Sequence, residues 1–347
     1  MPTASDLERR LAELGDLVDA ATRDELARGI SEAAGPFGGM LEYHLGWRDE
    51  HLQVLDTPAP AGKRLRPGLA LLVCEAVSGS IEPARPAAVA LELVHNFSLV
   101  HDDIQDRGEL RRHRPTLWTV WGADQAINAG DALFALAQVA LLRQPSAATA
   151  AMAAELNRAC VLLAEGQYLD LALQRGSLPS TLETYQAMIT RKTAVLFACA
   201  ARLGAMAGEA ATEVQSAYAR FGHELGLAFQ EQDDILGVWG KSEDTGKPPA
   251  ADVFERKRGL PAAVALSRPD APDWLAEFFT RHNGTVYRAE VSRVIAYFDQ
   301  LNLRPELEAQ VASHYRAALT ALEAAAPREP ARSYLAALCE LLVSRTA

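Results

Sequence analysis

Apolar residues recur every three or four positions along most of the chain, which is the period of an α-helix with one buried face. Short stretches rich in glycine, proline, serine and aspartate interrupt this pattern, among them "EAAGPFGG", "SGSIEPARP", "QRGSLPS" and "SRPDAPD". No stretch resembles an interdomain linker, no alternating strand pattern stands between them, and no internal repeat is found. The pattern predicts an all-α protein in which residues 1–347 form a single-domain bundle of many helices.

The N-terminal stretch predicts a capped amphipathic helix, in which Ser5 and Glu8 have the spacing of a capping box. It lacks the basic-then-apolar pattern of a secretory signal, which indicates a cytoplasmic location. The most apolar run, from Ala132 to Leu142, is shorter than the roughly 20 residues that span a bilayer. We therefore expect no integral membrane segment and interpret this run as a helix buried on most sides.

Composition narrows the classes of partner. Apolar residues make up 49% of the chain and aromatic residues only 7%, which favours helices over sheets. The net charge of −11 argues against nucleic acid or an anionic membrane surface as the main partner. Cys74, Cys160, Cys199 and Cys339 are widely spaced without a CxxC pair, so we expect reduced thiols rather than disulfides or a zinc site.

An acidic stretch ends the apolar helical run "RPAAVALELVHNFSLV". Asp102 and Asp106 are four residues apart and therefore share one helical face. Carboxylates placed this way repel each other unless a cation lies between them, and oxygen ligands suit Mg²⁺. The alternative is a solvated helix end, which is the usual fate of a charge run.

A second acidic pair stands in "GLAFQEQDDILGVWG", where Asp233 and Asp234 follow Gln230 at the end of another apolar run. If the two helices end at the same level, both sets of carboxylates can face one cavity and bind a polyanion through shared metal ions.

Basic residues occupy predicted loops and helix ends, where their charges can reach such a cavity. They are Lys63, Arg64, Arg66, Arg111, Arg112, Lys192, Lys247 and Lys257. Acids and bases gathered at one opening predict a diphosphate substrate, with metal on one side and cationic side chains on the other.

Seven stretches, in order, resemble the trans-type isoprenyl diphosphate synthases, most of all the bacterial short-chain geranylgeranyl and farnesyl diphosphate synthases. They are "GKRLRP", "HNFSLVHDDIQDRGELRRHRPT", "INAGDALFALA", "GQYLDL", "RKTAVLF", "FQEQDDILGVWG" and "GKPPAADVFERKRGLP", and they span Gly62 to Pro261. The resemblance implies helices around a deep central cavity, and a homodimer. The apolar run that ends at Leu142 suits either a core helix or a dimer interface.

The resemblance also assigns roles. Asp102, Asp106 and Asp233 would bind Mg²⁺ on the allylic diphosphate, with Asp103 supporting them. The residues expected to contact or surround that diphosphate are Arg111, Lys192, Thr193, Gln230, Lys247 and Lys257. The residues matched to the isopentenyl diphosphate pocket are Lys63, Arg66, His95 and Arg112.

The implied reaction joins isopentenyl diphosphate to an allylic diphosphate by ionisation, condensation and elimination. Electrostatic stabilisation of the departing diphosphate would be the main catalytic effect. The released diphosphate is a plausible base for the lost proton, so His101 and His113 are expected to be structural or to support neighbouring groups.

Four positions depart from the pattern of the resembled family. Gly237 stands where a third aspartate is usual, so we expect metal binding at Asp233 to be weakened or completed by water. Glu231 replaces an apolar residue, and we expect it to reach solvent or a subunit contact. Arg256 and Gly259 replace a glycine and a threonine.

Phe97 and Ser98 precede Asp102 by five and four residues, about one helical turn deeper in the implied cavity. The resemblance implies that a bulky ring there closes a tunnel for the growing chain, with a C20 product favoured and C15 next. The alternative is that Phe97 only packs in the core.

Two other functions stay open. A class I terpene cyclase would ionise one prenyl diphosphate without isopentenyl diphosphate, and the four residues matched to isopentenyl diphosphate argue against it. A non-catalytic partner subunit would be expected to lack the first aspartate motif, which is intact here, and only Gly237 favours this reading.

Overall fold

The computed structural model describes residues 2–60, 62–240, 248–281 and 284–343, and most of these residues are α-helical, as predicted. In chain order the helices are α1 (Ala4–Gly29), α2 (Phe37–His44), α3 (Leu65–Ser78), α4 (Arg85–Gln105), α5 (Leu117–Trp121), α6 (Ala123–Leu142), α7 (Thr149–Gln174), α8 (Leu182–Ile189), α9 (Val195–Ala207), α10 (Thr212–Trp239), α11 (Ala251–Phe254), α12 (Leu260–Leu266), α13 (Asp273–Thr280), α14 (Arg288–Gln300), α15 (Leu303–Ala324) and α16 (Ala331–Val343). Single 3₁₀ turns cover Glu32–Ala34 and Glu82–Ala84.

The cap of α1 differs from the prediction. The Thr3 hydroxyl accepts a hydrogen bond from the Asp6 amide at 3.2 Å, and the Asp6 carboxylate accepts one from the Thr3 amide at 3.1 Å. Because α1 begins at Ala4, Ser5 and Glu8 lie inside the helix, and the capping box predicted for them is wrong.

The core has two hydrophobic clusters, and α10 belongs to both. Leu225 packs with residues of α1, α3, α4, α6 and α9, whereas Ile235 packs with residues of α8 and of α11 to α15. Helix α4 lies inside the first cluster, with α1, α3, α6 and α9 packed around it. The polar C-terminal ends of α4 and α10 are therefore held by buried apolar helices on several sides.

A short hairpin follows α4, although the sequence pattern predicted no strand. Strand β1 (Leu110–Arg111) pairs antiparallel with β2 (Arg114–Pro115), and Arg111 faces Arg114. The two turn residues, Arg112 and His113, have φ angles of 51° and 64°. Two-residue hairpin turns of this kind favour asparagine and glycine. The backbone conformation of these two residues is therefore energetically unfavourable.

The apolar run that ends at Leu142 belongs to a longer helix, α6, of 20 residues. In the described part of the chain this is the one helix long and apolar enough to cross a membrane by length and composition alone, and 44% of its most apolar window is buried. One side of α6 packs on α4, while Ile127, Val139 and Leu142 are exposed. The expectation that the run is buried on most sides is therefore only partly met.

The four cysteines are free. Cys74, Cys199 and Cys339 are buried and Cys160 is partly buried, as expected for reduced thiols.

Candidate active site

The ends of α4, α7 and α10 face one cavity of about 720 Å³. Polar side chains predicted from separate motifs meet there: Asp102, Asp106, Lys192, Gln230 and Lys257. Three further aspartates line the same wall, namely Asp170, Asp234 and Asp252.

Asp102 and Asp106 lie one helical turn apart where α4 ends. The Asp106 amide donates to the Asp102 carbonyl oxygen at 2.9 Å, so the helix holds both residues on one face. Burial, and then the charge of Asp102, raise the pKa of Asp106 to about 6. Two carboxylates in this relation favour a cation between them.

Asp103 is turned toward Arg111 of β1. Its carboxylate accepts from Arg111 at 2.7 Å, whereas the same guanidinium lies 3.8 Å from Asp102. Burial raises the pKa of Asp103, and the hydrogen bond from Arg111 partly opposes that shift. Asp103 therefore anchors Arg111 beside the first carboxylate of the motif.

Helix α7 contributes two residues that the sequence analysis did not assign. Gln167 donates to Asp102 at 2.7 Å, and Asp170 accepts from Lys192, whose ammonium also lies 3.2 Å from Asp102. Burial opposes the charge on Lys192, but Asp170 and Asp102 outweigh it and raise its pKa. The signal for both residues was the motif "GQYLDL", which was matched without an assignment of its polar side chains.

A π-helical turn, Thr190–Ala194, presents Lys192 and Thr193 to this wall between α8 and α9. The Thr193 hydroxyl donates to Gln230 at 2.8 Å. Gly166 of α7 makes room for the turn, because a Cβ there would lie 2.7 Å from Lys192 Cα. Such turns are often found at functional sites.

The two aspartates of the second motif, Asp233 and Asp234, have different surroundings. Asp234 is 2% exposed and its carboxylate accepts from the Tyr185 hydroxyl at 2.8 Å and from the Leu260 amide at 2.9 Å. Gln230 and Lys257 donate to its other oxygen at 2.9 and 3.3 Å. Asp233 is half-buried. The predicted site residue Lys247 lies outside the described residues.

The expectation that Glu231 reaches solvent or a subunit contact is wrong. It is fully buried and accepts from Gln310 of α15 at 2.6 Å. His314, one turn further along α15, lies 3.6 Å from Glu231 and 2.7 Å from Glu224. The polar residue at this position thus joins α10 to α15.

A second cationic cluster lies about two helical turns earlier along α4, around His95. Arg66 approaches His95 at 3.5 Å and stacks over the Phe197 ring at 4.6 Å. Burial, followed by Arg66 and Arg112, lowers the pKa of His95 well below its usual value, so the ring is neutral. Burial also lowers the pKa of Arg66 to about 10. A bound anion would relieve this crowding of positive charge.

The other basic residues of "GKRLRP" differ in their surroundings. Arg64 is buried and pairs with Glu92 at 2.6 Å and with Asp19 at 2.8 Å, which suits a structural role. Lys63 is exposed. His44 of α2 was not predicted to be near this cluster. Burial, and then the charges of nearby arginines, lower its pKa to about 3.

Phe97 packs between α4 and α6. Its ring centroid lies 5.2 Å from that of Phe134 and 5.1 Å from that of His101. Ser98 donates to the His95 carbonyl oxygen at 2.7 Å. His101 approaches the Ile127 carbonyl oxygen at 3.3 Å, an arrangement that suits a packing role.

Whether this site can bind a divalent metal depends on which acidic side chains lie close together. Within the described ranges, no three His, Cys, Asp or Glu side chains converge as a ready-made metal cluster. Asp102 and Asp106 offer two carboxylates one helical turn apart at the cavity. This set fits Mg²⁺, which usually takes one or two carboxylates and completes its shell with substrate phosphates and water.

Residues of four motifs, Asp102, Lys192, Gln230 and Lys257, therefore line one cavity, whereas Asp233 and the cluster around His95 lie outside its lining. Comparison with known proteins identifies these motifs. A sequence model of the family described as polyprenyl synthetase matches residues 49–297. The chain belongs to the polyprenyl synthetase family. A member of that family from Streptomyces coelicolor, described as a polyprenyl synthetase, has a crystal structure that superposes with a TM-score of 0.89 at 33% identity, covering 97% of this chain and 99% of that chain.

Two curated relatives of this polyprenyl synthetase family member come from Mycobacterium tuberculosis. A (2E,6E)-farnesyl diphosphate synthase is 42% identical over 228 residues, which are 66% of this chain and 63% of that protein. A geranylgeranyl diphosphate synthase is 39% identical over 275 residues, which are 79% of this chain and 75% of that protein. This chain thus spans less than two thirds of the length of the farnesyl relative.

Proposed function

We propose that this chain is a Mg²⁺-dependent short-chain trans-prenyltransferase that condenses isopentenyl diphosphate with an allylic diphosphate. The observation that carries the proposal is the presence of two separate clusters of charged side chains on one helix. The Asp102–Asp106 pair lies at the end of α4, and the cluster around His95 lies two turns earlier. A reaction that joins two diphosphates requires both. The names of the mycobacterial relatives support the same activity.

The proposed roles follow the two sites. The proposed metal ligands are Asp102, Asp106 and Asp233. The proposed contacts of the allylic diphosphate are Arg111, Lys192, Thr193, Gln230, Lys247 and Lys257, and Asp103 supports Arg111. The proposed contacts of isopentenyl diphosphate are Lys63, Arg66, His95 and Arg112. The contacts of Lys192 with Asp102, of Thr193 with Gln230 and of Arg66 with His95 support these roles.

In this mechanism the side chains bind, orient and exclude water. Bound Mg²⁺ would supply charge stabilisation for the leaving diphosphate. Lys192 keeps its proton because Asp170 and Asp102 raise its pKa, so it can donate to the departing oxygens. Leu173, Met188 and Phe279 line the cavity among the charged groups and would keep water from the allylic cation. The departing diphosphate is the proposed base for the final proton.

We propose geranylgeranyl diphosphate, C20, as the main product, with farnesyl diphosphate, C15, next. The paired rings of Phe97 and Phe134 support a barrier between α4 and α6. Among the described residues, Phe97 and Ser98 lie outside the lining of the open cavity. Phe97→Ala is expected to lengthen the product, as measured by mass analysis of the dephosphorylated alcohols. An unchanged product length would place the barrier elsewhere.

The test of the activity is incubation of the purified chain with Mg²⁺, isopentenyl diphosphate and dimethylallyl, geranyl or farnesyl diphosphate. Elongated products that disappear when the metal is chelated would support the proposal. Hydrocarbon formed from a prenyl diphosphate alone would indicate a cyclase. No turnover by the isolated chain, with activity only after addition of a related synthase, would indicate a partner subunit.

We also propose a single domain over residues 1–347, a homodimer and a cytoplasmic location. The role of α10 in both hydrophobic clusters supports one domain. Exposed apolar residues on α6 and α7, among them Val139, Val161 and Tyr168, support a dimer interface there. The free, mostly buried cysteines support a reducing compartment.

A further inference from the structure

Gly237 occupies the position where the resembled family has a third aspartate, and a neighbouring carboxylate fills the space beside it. A Cβ added at Gly237 would lie 3.0 Å from the Cβ of Asp252 and closer still to its carboxyl group. Asp252 belongs to α11, which packs on α10. Its side chain is 7% exposed. The absence of a side chain at position 237 therefore has a direct steric reason in this chain.

The Asp252 carboxylate is bound to a lysine at the cavity wall. The Lys257 ammonium lies 3.0 Å from Asp252 and 3.3 Å from Asp234. Lys257 is 40% exposed, whereas both aspartates are buried. The aspartates therefore bind the lysine from the protein interior, and the lysine remains accessible from the cavity that it lines. Two fixed acceptors restrict a flexible four-carbon side chain to one direction.

Gly259, a second departure from the family pattern, leaves room for the other acid that binds Lys257. A Cβ added at Gly259 would lie 2.8 Å from the Asp234 carboxylate. The two unusual glycines, Gly237 and Gly259, therefore each leave room for one of the two acids that hold Lys257. Side chains at these positions would compete with the carboxylates for the same space.

We propose that Asp252 is a positioning residue that aims the Lys257 ammonium at the diphosphate of the allylic substrate, and that Gly237 is required to seat its carboxylate. This inference rests on the proposed function, because it takes the diphosphate as the target of Lys257. The Asp252 carboxylate, from α11, then occupies the space that a side chain at position 237 of α10 would take.

The test compares Asp252→Asn, Gly237→Ala and the double variant with the full-length wild-type chain. Asp252→Asn keeps the shape and removes the charge that holds Lys257. We expect kcat to fall about tenfold, with the KM for isopentenyl diphosphate unchanged because its proposed site lies elsewhere on α4. Gly237→Ala should displace the carboxylate and give the same pattern. The double variant should be no worse than either single variant, because both remove one interaction.

A second measurement reports on Lys257 without substrate. Acylation of its amine by a mild reagent, followed by peptide mass spectrometry, should be about tenfold faster in Asp252→Asn, because loss of the Asp252 charge lowers the pKa of the amine and leaves more of it unprotonated. Exposed Lys63 serves as the internal reference. If wild-type protein elongates no substrate, the proposed function fails, yet this measurement still tests the contact between Asp252 and Lys257.

Matched controls separate this effect from general damage. Gly15→Ala adds a methyl group to a helix where the nearest atom would be 3.5 Å away, and Asp16→Asn removes an exposed charge. Both should behave as wild type. If Gly237→Ala fails to fold, Gly237→Ala with Asp252→Ala removes the clash and should fold.

Three results would overturn the proposal. One is multiplicative losses in the double variant, which would make the two positions independent. Another is Lys257 acylation at the wild-type rate in Asp252→Asn. The third is full recovery of kcat at high Mg²⁺, which would make Asp252 a metal ligand.

Discussion

Arg112 combines two unfavourable features at one residue. Its backbone is left-handed, with a φ angle of 51°, and burial, together with nearby Arg64, lowers the pKa of its guanidinium. Residues held in such conformations persist where the surroundings determine them strongly, and they are concentrated at binding sites. A bound diphosphate would stabilise the charge that burial disfavours.

Arg112→Ala is therefore expected to raise the KM for isopentenyl diphosphate by about tenfold or more, because it removes a charged hydrogen-bond donor from that site. The KM for the allylic substrate should change little. Initial rates with each substrate varied in turn measure both values. Arg107→Ala, at an exposed arginine that also has a positive φ angle of 54°, is the matched control. Equal increases in both KM values would contradict the assignment.

The buried carboxylate of Glu231 changes the pKa of its neighbour, His314. Interaction with Glu231, and then with Glu224, raises the pKa of His314 to about 9, although burial opposes this. Gln310 is the uncharged partner of Glu231 from the same helix, α15. Protonated His314 therefore balances two carboxylates of α10.

Because its pKa is raised on folding, protonated His314 contributes stability that is fully present below pH 6.5 and is lost as the pH rises through about 9. The melting temperature should accordingly fall between these values. His314→Gln should lower stability at pH 6 and flatten this fall. Thermal unfolding monitored by circular dichroism across pH 6 to 10 measures it. A variant with the same pH profile as the wild type would contradict the role of His314.

At the scale of elements, the π-helical turn Thr190–Ala194 depends on α7. Gly166 allows the α7 backbone to approach the turn closely, since an added Cβ would lie 2.6 Å from the Arg191 carbonyl carbon. The approach also brings Gln167 and Asp170 to the same wall. One glycine thus determines how two helices meet at the cavity.

Gly166→Ala is expected to destabilise the protein by about 1–3 kcal/mol through overpacking. It should also lower kcat, because Lys192 and Thr193 shift with the turn. Chemical denaturation and steady-state kinetics measure the two effects. Gly15→Ala, which meets no atom closer than 3.5 Å, is the control for the added methyl group. Wild-type stability of Gly166→Ala would show that the turn tolerates displacement.

Sequence periodicity predicted most of the features that depend on residues close together in the chain. It placed Asp102 and Asp106 on one helical face and predicted the two acidic helix ends. It did not predict that Asp170 binds Lys192 or that Glu231 is buried, because those facts depend on which helices pack together. The π-helical turn and the two-residue strands of the hairpin lack a sequence period of their own.

At the scale of the whole molecule, α6 and α7 present an apolar surface. Asn157 of α7 donates to Gln138 of α6 at 2.8 Å, so the exposed sides of the two helices lie next to each other. Ile127, Val161 and Tyr168 are exposed on these helices. Exposed apolar residues gathered in one region indicate a protein interface.

Val161→Glu is expected to convert the proposed dimer into monomers, since it places a charge in that surface. Val54→Glu is the matched control, because Val54 is 65% exposed and Val161 is 60% exposed. Light scattering after size-exclusion chromatography measures the mass of each variant. A dimer that persists in Val161→Glu, or a wild-type monomer, would contradict the proposed interface.

Helix α4 carries both proposed substrate sites, and this restricts how the chain can change. His95 and Asp102 are separated by about 10 Å of helical rise, a distance set by backbone geometry rather than by side chains. Inserting one residue between them would rotate one site by about 100° relative to the other. This segment can therefore vary by substitution but not by insertion or deletion. New product lengths must come from the size of residues such as Phe97, while the spacing between the reacting groups stays constant.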